Sequence, residues 1–165
     1  MSPTRRRVSP YERVLETFAR TRAGNWYLKQ IARRIDPPML RLTGGRVSSV
    51  YPTPVMLLTT TGAKSGQPRT LPLLYLTDGE RLILIASNYG NTNHPAWYRN
   101  LTANPTVEVL AGKRSGTYTA SEITDPGERE RAWALALDQY AGYGDYKETA
   151  GDRTIPLIRL ERITA

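Results

Sequence analysis

The chain has 165 residues, enough for one domain whose hydrophobic core needs neither disulfide nor metal to hold it. It contains no cysteine and a single histidine, His94, which excludes thiolate metal sites, disulfide staples and a cysteine nucleophile. The formal net charge is +8, and it is unevenly placed: residues 1–50 carry eleven Lys or Arg against three Asp or Glu, whereas residues 51–165 carry twelve of each.

That asymmetry argues against a uniformly basic nucleic-acid binder and for an N-terminal segment that meets an anionic surface of its own. No apolar run approaches the roughly 20 residues that span a bilayer, and no apolar leader core follows the basic opening, so a cytoplasmic protein is expected. Residues 1–10 read as a disordered basic tail and 11–50 as a basic, amphipathic helical segment. Within 11–35, Val14 with Phe18, and Tyr27 with Ile31 and Ile35, stand at helical spacing on either side of Ala23-Gly24-Asn25, which predicts two short helices. Arginine-rich polar faces opposite Phe18, Trp26 and Tyr27 suit peripheral contact with the inner face of an anionic membrane; packing on the chain's own domain is the competing reading. Residues 36–54, dense in Pro and Gly, predict a long connector.

Residues 51–165 read as one barrel domain. "VMLLTTT" (55–61), "TLPLLYLT" (70–77) and "RLILIAS" (81–87) predict an antiparallel meander with strands buried on both faces, its second turn at Asp78-Gly79. A short helix is expected at 95–104, with Pro95 in its first position and Pro105 as its stop. Strands at 106–112 and 115–124 are joined at Gly112-Lys113. A long helix spans 125–141, capped by Asp125 with Pro126 in its first position, and a last strand covers 154–163. Six strands with N-terminal helices, one late helix and no βαβ alternation predict a mainly β (α+β) fold, a six-stranded antiparallel barrel.

The loop "TGAKSGQPR" joins the first two strands. Its glycines, Gly62 and Gly66, could turn backbone N–H groups outward beside the Ser65 hydroxyl, the Lys64 ammonium and the Arg69 guanidinium, forming an anion cradle. A charged hairpin turn is the plainer explanation. Ala63 stands where a Walker A loop needs glycine before its lysine, which disfavours a nucleotide triphosphatase. "IASNYGNTNHPAWYRN" sets a polar loop between a strand end and a helix start, a common place for ligands, although Trp97 suits the core equally and His94 alone makes a poor metal site. Tyr140, Tyr143 and Tyr146 recur three apart, with phenols able to bond or protonate a substrate or simply to pack together. Paired carboxylates, a nucleophile elbow and a dinucleotide fingerprint are all missing from the sequence, so a bound cofactor is expected to carry the chemistry.

Three blocks, "LLTTTGAKSGQPRTLPLLYL", "HPAWYRNL" with the "ANP" after it, and "DRTIPLIRLE", resemble the deazaflavin-dependent nitroreductase and quinone reductase family. Its members are split β-barrel proteins of the FMN-binding split-barrel type that take a hydride from reduced coenzyme F-420. The likeness runs from Pro54 to Glu161 in the same order and spacing. It implies an oxidoreductase that passes a hydride to a quinone, a nitroaromatic or an activated enone, without metal or nucleic acid, as monomer or dimer. By the same resemblance Ala63, Lys64, Ser65 and Arg69 hold the cofactor's phosphate and acidic tail. Thr70, Leu71, Pro72, Leu73 and Leu74, with Ile85, Ala86, Ser87 and Asn88, border the ring, and Ala96, Trp97, Tyr98, Arg99 and Asn100 cover its other parts. Ser87 falls where the family hydrogen-bonds near the reacting ring, and Tyr143, with Tyr140 and Tyr146, in its substrate-facing tyrosine stretch. The chain departs from the family at Ala63, where a second basic residue is frequent, and at Asn88 to Gly90, where a lysine-glycine pair is. The alternatives are FMN bound in the same cradle, or a non-catalytic barrel recruited to an anionic membrane by the basic N-terminal helices.

Overall fold

The structure, a computed structural model, describes Thr17, Thr21, residues 33–50 and residues 53–164. The tail and, apart from Thr17, Thr21 and residues 33–35, the two helices expected over 11–35 lie outside the described residues. Seven strands, all paired antiparallel, form one sheet: β1 (Val55–Thr61), β2 (Pro68–Leu74), β3 (Leu76–Asp78), β4 (Arg81–Ile85), β5 (Thr106–Leu110), β6 (Gly116–Glu122) and β7 (Leu157–Arg162), in the spatial order β2-β1-β5-β6-β7-β4-β3. The sheet curls until β2 meets β4, giving an open half-barrel.

Strand parity explains the core. Met56 and Leu58 of β1, Leu82 and Leu84 of β4, Val107 and Val109 of β5, and Ile158 and Leu160 of β7 fill the concave side together with Trp97 and Leu101 from helix α2 (Ala96–Ala103). The alternate residues point the other way. Ile83, Ile85 and Leu157 meet Ala132 and Ala136 of helix α3 (Pro126–Gln139) and Tyr143 of helix α4 (Gly142–Thr149), while Val55 and Leu57 meet Leu40 of helix α1 (Arg33–Leu42). Helices on the outer face therefore turn period-two strands into the unbroken apolar runs seen in β1 and β4. The cap of α3 is the expected one: the Asp125 Oδ1 accepts the Glu128 amide at 2.7 Å, with Pro126 opening the helix.

Four expectations need correction. The expected 70–77 strand breaks at Tyr75, whose carbonyl accepts Gln139 Nε2, so there are seven strands rather than six. The first strands do not form a meander, because the hairpins β1-β2 and β3-β4 occupy opposite ends of the sheet. Nor is β2 buried on both faces: it is an edge strand, exposed from Pro68 to Thr70, which is where a strand containing Pro68 and Pro72 belongs. Finally, the 36–54 connector begins as helix α1, which continues through Pro37 and Pro38; the late helix stands where expected, and α4 is a further helix after it. Burial of Leu40, 1% exposed, and the bond that the Asp36 carboxylate accepts from the Ser49 amide at 2.7 Å hold the helix despite the two amide donors that the prolines remove.

No helix among the described residues is long and apolar enough to cross a membrane. Leu40→Ala should cost about 2–5 kcal/mol of unfolding free energy by opening a cavity under β1. Urea titration checks this, and a cost under about 1 kcal/mol would show that α1 is not docked through this side chain.

Candidate active site

The cradle loop sits between β1 and β2, over the first turns of α2. Its backbone amides are largely spent inside the loop: Gly62 N donates to Gln67 O at 2.9 Å, Gly66 N to Gly62 O at 2.8 Å, and Gln67 N to the Ser65 Oγ at 3.3 Å. Gly62 and Gly66 thus close the turn instead of presenting outward amides, a correction that follows from the need of a six-residue connection to satisfy its own donors. Gly66 has φ +64°, which a residue with a Cβ rarely adopts. Asn100 fastens the loop to α2. Its Oδ1 accepts the Ala63 amide at 3.1 Å, and its Nδ2 donates to the Thr60 Oγ1, also at 3.1 Å. On this braced turn Lys64 and Arg69 are exposed, and among the described residues no carboxylate pairs with either.

Beyond the loop, β2 alternates. Leu71 and Leu73 lie half-buried against the concave core, whereas Leu74 packs toward α1 and the Thr70 Oγ1 is bonded to the Thr59 Oγ1 at 2.8 Å. Only every second residue of 70–74 therefore faces the concave side. Ala86 is fully buried in the concave core and Ile85 packs under α3 and α4. Trp97, 6% exposed, is also a core residue, as the plainer reading of a helical tryptophan held, while Ala96 and Arg99 are exposed on α2. Half-buried Tyr98 donates its hydroxyl to the Glu122 Oε2 at 2.8 Å, and burial followed by that bond raises its pKa.

The strand end at Ser87, 8% exposed, leads into a turn in which Asn88 (φ 49°), Tyr89 (φ 55°) and Gly90 (φ 74°) are all left-handed. Two consecutive non-glycine residues in that region cost on the order of 1–3 kcal/mol each and persist only where the surroundings over-determine them. Here they do. Asn88 Nδ2 donates to Asn93 O and Asn91 Nδ2 to Asn88 O, both at 2.8 Å. A Cβ at Gly90 would collide with the Thr149 Oγ1 and lie 3.2 Å from the Tyr146 Cα, so the turn is pressed onto α4. Arg153, from the segment before β7, reaches the carbonyls of Ala86, Ser87 and Asn91. The sequence offered it only as one letter of "DRTIPLIRLE", because its partners lie more than sixty residues away.

Four tyrosines gather beside this turn. Ring centroids are 6.2 Å apart for Tyr89 and Tyr146, 5.4 Å for Tyr140 and Tyr143, and 6.1 Å for Tyr146 with each of Tyr140 and Tyr143. The hydroxyls of Tyr140 and Tyr146 are 3.4 Å apart. Tyr140 ends α3 while Tyr143 and Tyr146 ride on α4, so the expected single helical face is replaced by a corner between two helices. Tyr89 was not among the sequence candidates, for the reason that nothing local marks a left-handed tyrosine. Burial first, then neighbouring phenols, pushes the pKa of Tyr143 and Tyr146 well above the ordinary tyrosine value. Among the described residues no cluster of three His, Asp or Glu could hold a metal ion.

The structure thus brings Asn100, Ser87, Asn88 and the tyrosines onto one continuous run of elements: cradle, α2, turn, α4. Because the fold raises the two phenol pKa values, their protonated forms contribute stability that is complete below about pH 10 and is lost as pH rises through the folded values. Ultraviolet titration of tyrosinate should therefore be identical for the parent chain and Tyr146→Phe up to about pH 10; a tyrosinate signal below that pH which the variant lacks would contradict the placement.

The profile of the F-420H(2)-dependent quinone reductases matches residues 32–162. An F-420H(2)-dependent quinone reductase of Mycobacterium tuberculosis is 36% identical over 133 residues, which are 78% of this chain and 89% of that protein. A solved F-420H2-dependent reductase, FDR-A, superposes with a TM-score of 0.58 at 40% identity, covering 66% of this chain and 94% of its own. A structure described as a domain-swapped dimer gives a TM-score of 0.62 at 36% identity, covering 83% and 98%. FMN and a purely recruiting, non-catalytic barrel find no support in these likenesses. With its family profile matched from before α1 to the end of β7, the chain belongs to the F-420H(2)-dependent quinone reductase family.

Proposed function

We propose that this chain transfers a hydride from reduced coenzyme F-420 to a small electrophile of the quinone class, nitroaromatics and activated enones being the other acceptors of matching chemistry. One observation carries the reading: a turn braced by Asn100 and the start of edge strand β2 hold Lys64 and Arg69 exposed and without acidic partners among the described residues, beside half-buried Leu71 and Leu73 of the same strand. Two uncompensated cations on a fixed turn suit a multiply negative phosphate and carboxylate tail, and apolar β2 suits a flat ring. The residues present fit the group.

In this reading Lys64, Ser65 and Arg69 hold the tail, and Leu71 and Leu73 with the strand end at Ser87 and Asn88 bound the ring. The remaining candidates act from behind: Ala63 and Asn100 by locking the cradle, Trp97 by anchoring α2 in the core. When bound, the reduced coenzyme supplies two electrons as one hydride, so a quinone becomes a hydroquinone anion that needs one proton. Tyr140 and Tyr146, with hydroxyls 3.4 Å apart, and buried Tyr143 wall the acceptor side; burial keeps the phenols of Tyr143 and Tyr146 protonated, so that they can donate hydrogen bonds to a developing oxyanion. The proton itself comes from solvent or from a tyrosine.

The chain should reoxidise reduced coenzyme F-420 in the presence of menadione, seen as recovery of the oxidised coenzyme's fluorescence; no recovery with menadione, a nitroimidazole or a cyclohexenone would overturn the proposal. Replacing both Lys64 and Arg69 by alanine should raise the coenzyme's dissociation constant at least roughly tenfold, since two charge-assisted contacts vanish. Their exposure leaves folding intact.

The basic N-terminal segment gives this enzyme a peripheral seat on an anionic membrane, where lipophilic quinones reside. Supporting this, Leu42 is 88% exposed at the end of α1, next to Arg41 and near exposed Val47 and Arg46. Sedimentation with vesicles containing anionic lipid should pull down the full chain and release Leu42→Asp at least in part; equal partitioning of both would reject the contact.

A further inference from the structure

We infer that Arg153 is a positioning residue for the hydride-transfer step, holding Ser87 and the left-handed turn behind it in the shape that completes the acceptor-side wall. The inference rests on the reductase reading above. Strand β4 ends at Ile85, and the next two carbonyls, of Ala86 and Ser87, leave the ladder at the edge of the core. Arg153 supplies their donors: Nη1 reaches the Ala86 carbonyl at 3.1 Å and Nη2 the Ser87 carbonyl at 2.6 Å, while Nε reaches the Asn91 carbonyl at 2.9 Å. One planar fork therefore grips both ends of the segment Ser87–Asn91, and the strained Asn88–Tyr89–Gly90 turn lies between the grips.

Nη1 also lies 3.4 Å from the His94 Nδ1. The His94 ring in turn lies 5.0 Å from Tyr98. Among the described residues no carboxylate pairs with Arg153, and its charge is met chiefly by carbonyl dipoles. Arg159, by contrast, is neutralised by Glu128. The geometry uses the fork in a way that a lysine's single ammonium cannot copy. Through the turn, Arg153 sets Tyr89 against Tyr146; through the strand end, it sets Ser87.

The test compares the full chain with Arg153→Lys, which keeps the charge, and Arg153→Gln. In the absence of coenzyme, hydrogen exchange should quicken at the amides of residues 87–93 in both variants, with the sheet unaffected. With coenzyme and menadione, kcat should fall roughly ten- to a hundredfold in both, as expected for a misplaced wall, while the coenzyme's dissociation constant, set chiefly by the cradle, rises by a clearly smaller factor. In the parent chain the Arg153 Nε–H should exchange slowly by nuclear magnetic resonance, a readout independent of either variant's folding. A lysine variant indistinguishable from the parent, unchanged exchange at 87–93, a loss of kcat matched by an equal loss of coenzyme affinity, or a rapidly exchanging Nε–H would each overturn the inference. Should the parent chain itself fail to bind the coenzyme, the reductase reading falls and the exchange data alone decide whether Arg153 holds the turn.

Discussion

Leu82 and Leu84 of β4 face the concave core, Ile83 and Ile85 face the outer helices, and all four are sealed from water. A strand buried on both sides cannot run out into solvent, because its last carbonyls would lose their ladder partners while still enclosed. The chain meets that constraint at the end of β4. Pro156 supplies an acceptor for the Ala86 amide, Arg153 supplies donors for the carbonyls of Ala86 and Ser87, and the backbone then reverses through a left-handed turn pressed against α4. Ser87 and the tyrosine corner are where they are because this is how β4 stops.

The opposite end of the sheet is built on a different economy. Edge strand β2 carries two prolines and an exposed first half, so the loop before it can be polar without stranding buried groups. Asn100 makes that loop rigid by linking it to α2, and α2 in turn is pinned through Trp97 and Leu101 in the concave core. The cationic loop and the tyrosine corner are thus separate devices hung on one core: one is an exposed pair of charges, the other a packed corner beside a buried strand end.

Much of this plan was legible in the letters. The apolar runs at 55–61 and 81–87 and the Asp125-Pro126 helix start each announce themselves over a handful of neighbours and have the expected structure, whereas the Lys64-to-Arg69 loop shows its cations but not the bonds by which Gly62 and Gly66 close it. Local signals failed where burial overruled them. Pro37 and Pro38 read as a break, yet Leu40 and Asp36 hold the helix; the 70–77 run reads as one strand, yet the sheet takes it as two on opposite edges.

By itself the sequence determined the alternation that makes a double-faced sheet, the excess charge of the first fifty residues and the identity of the cationic loop, because each depends on the order of a few adjacent side chains. Only the tertiary structure decided that β7 lies between β6 and β4, that Asn100 closes the cradle, that Tyr89 joins the tyrosines and that Arg153 brackets the turn. Those contacts join residues far apart in the chain, and their hydrogen-bonding demands arise only once neighbouring strands and helices have excluded water from the groups concerned.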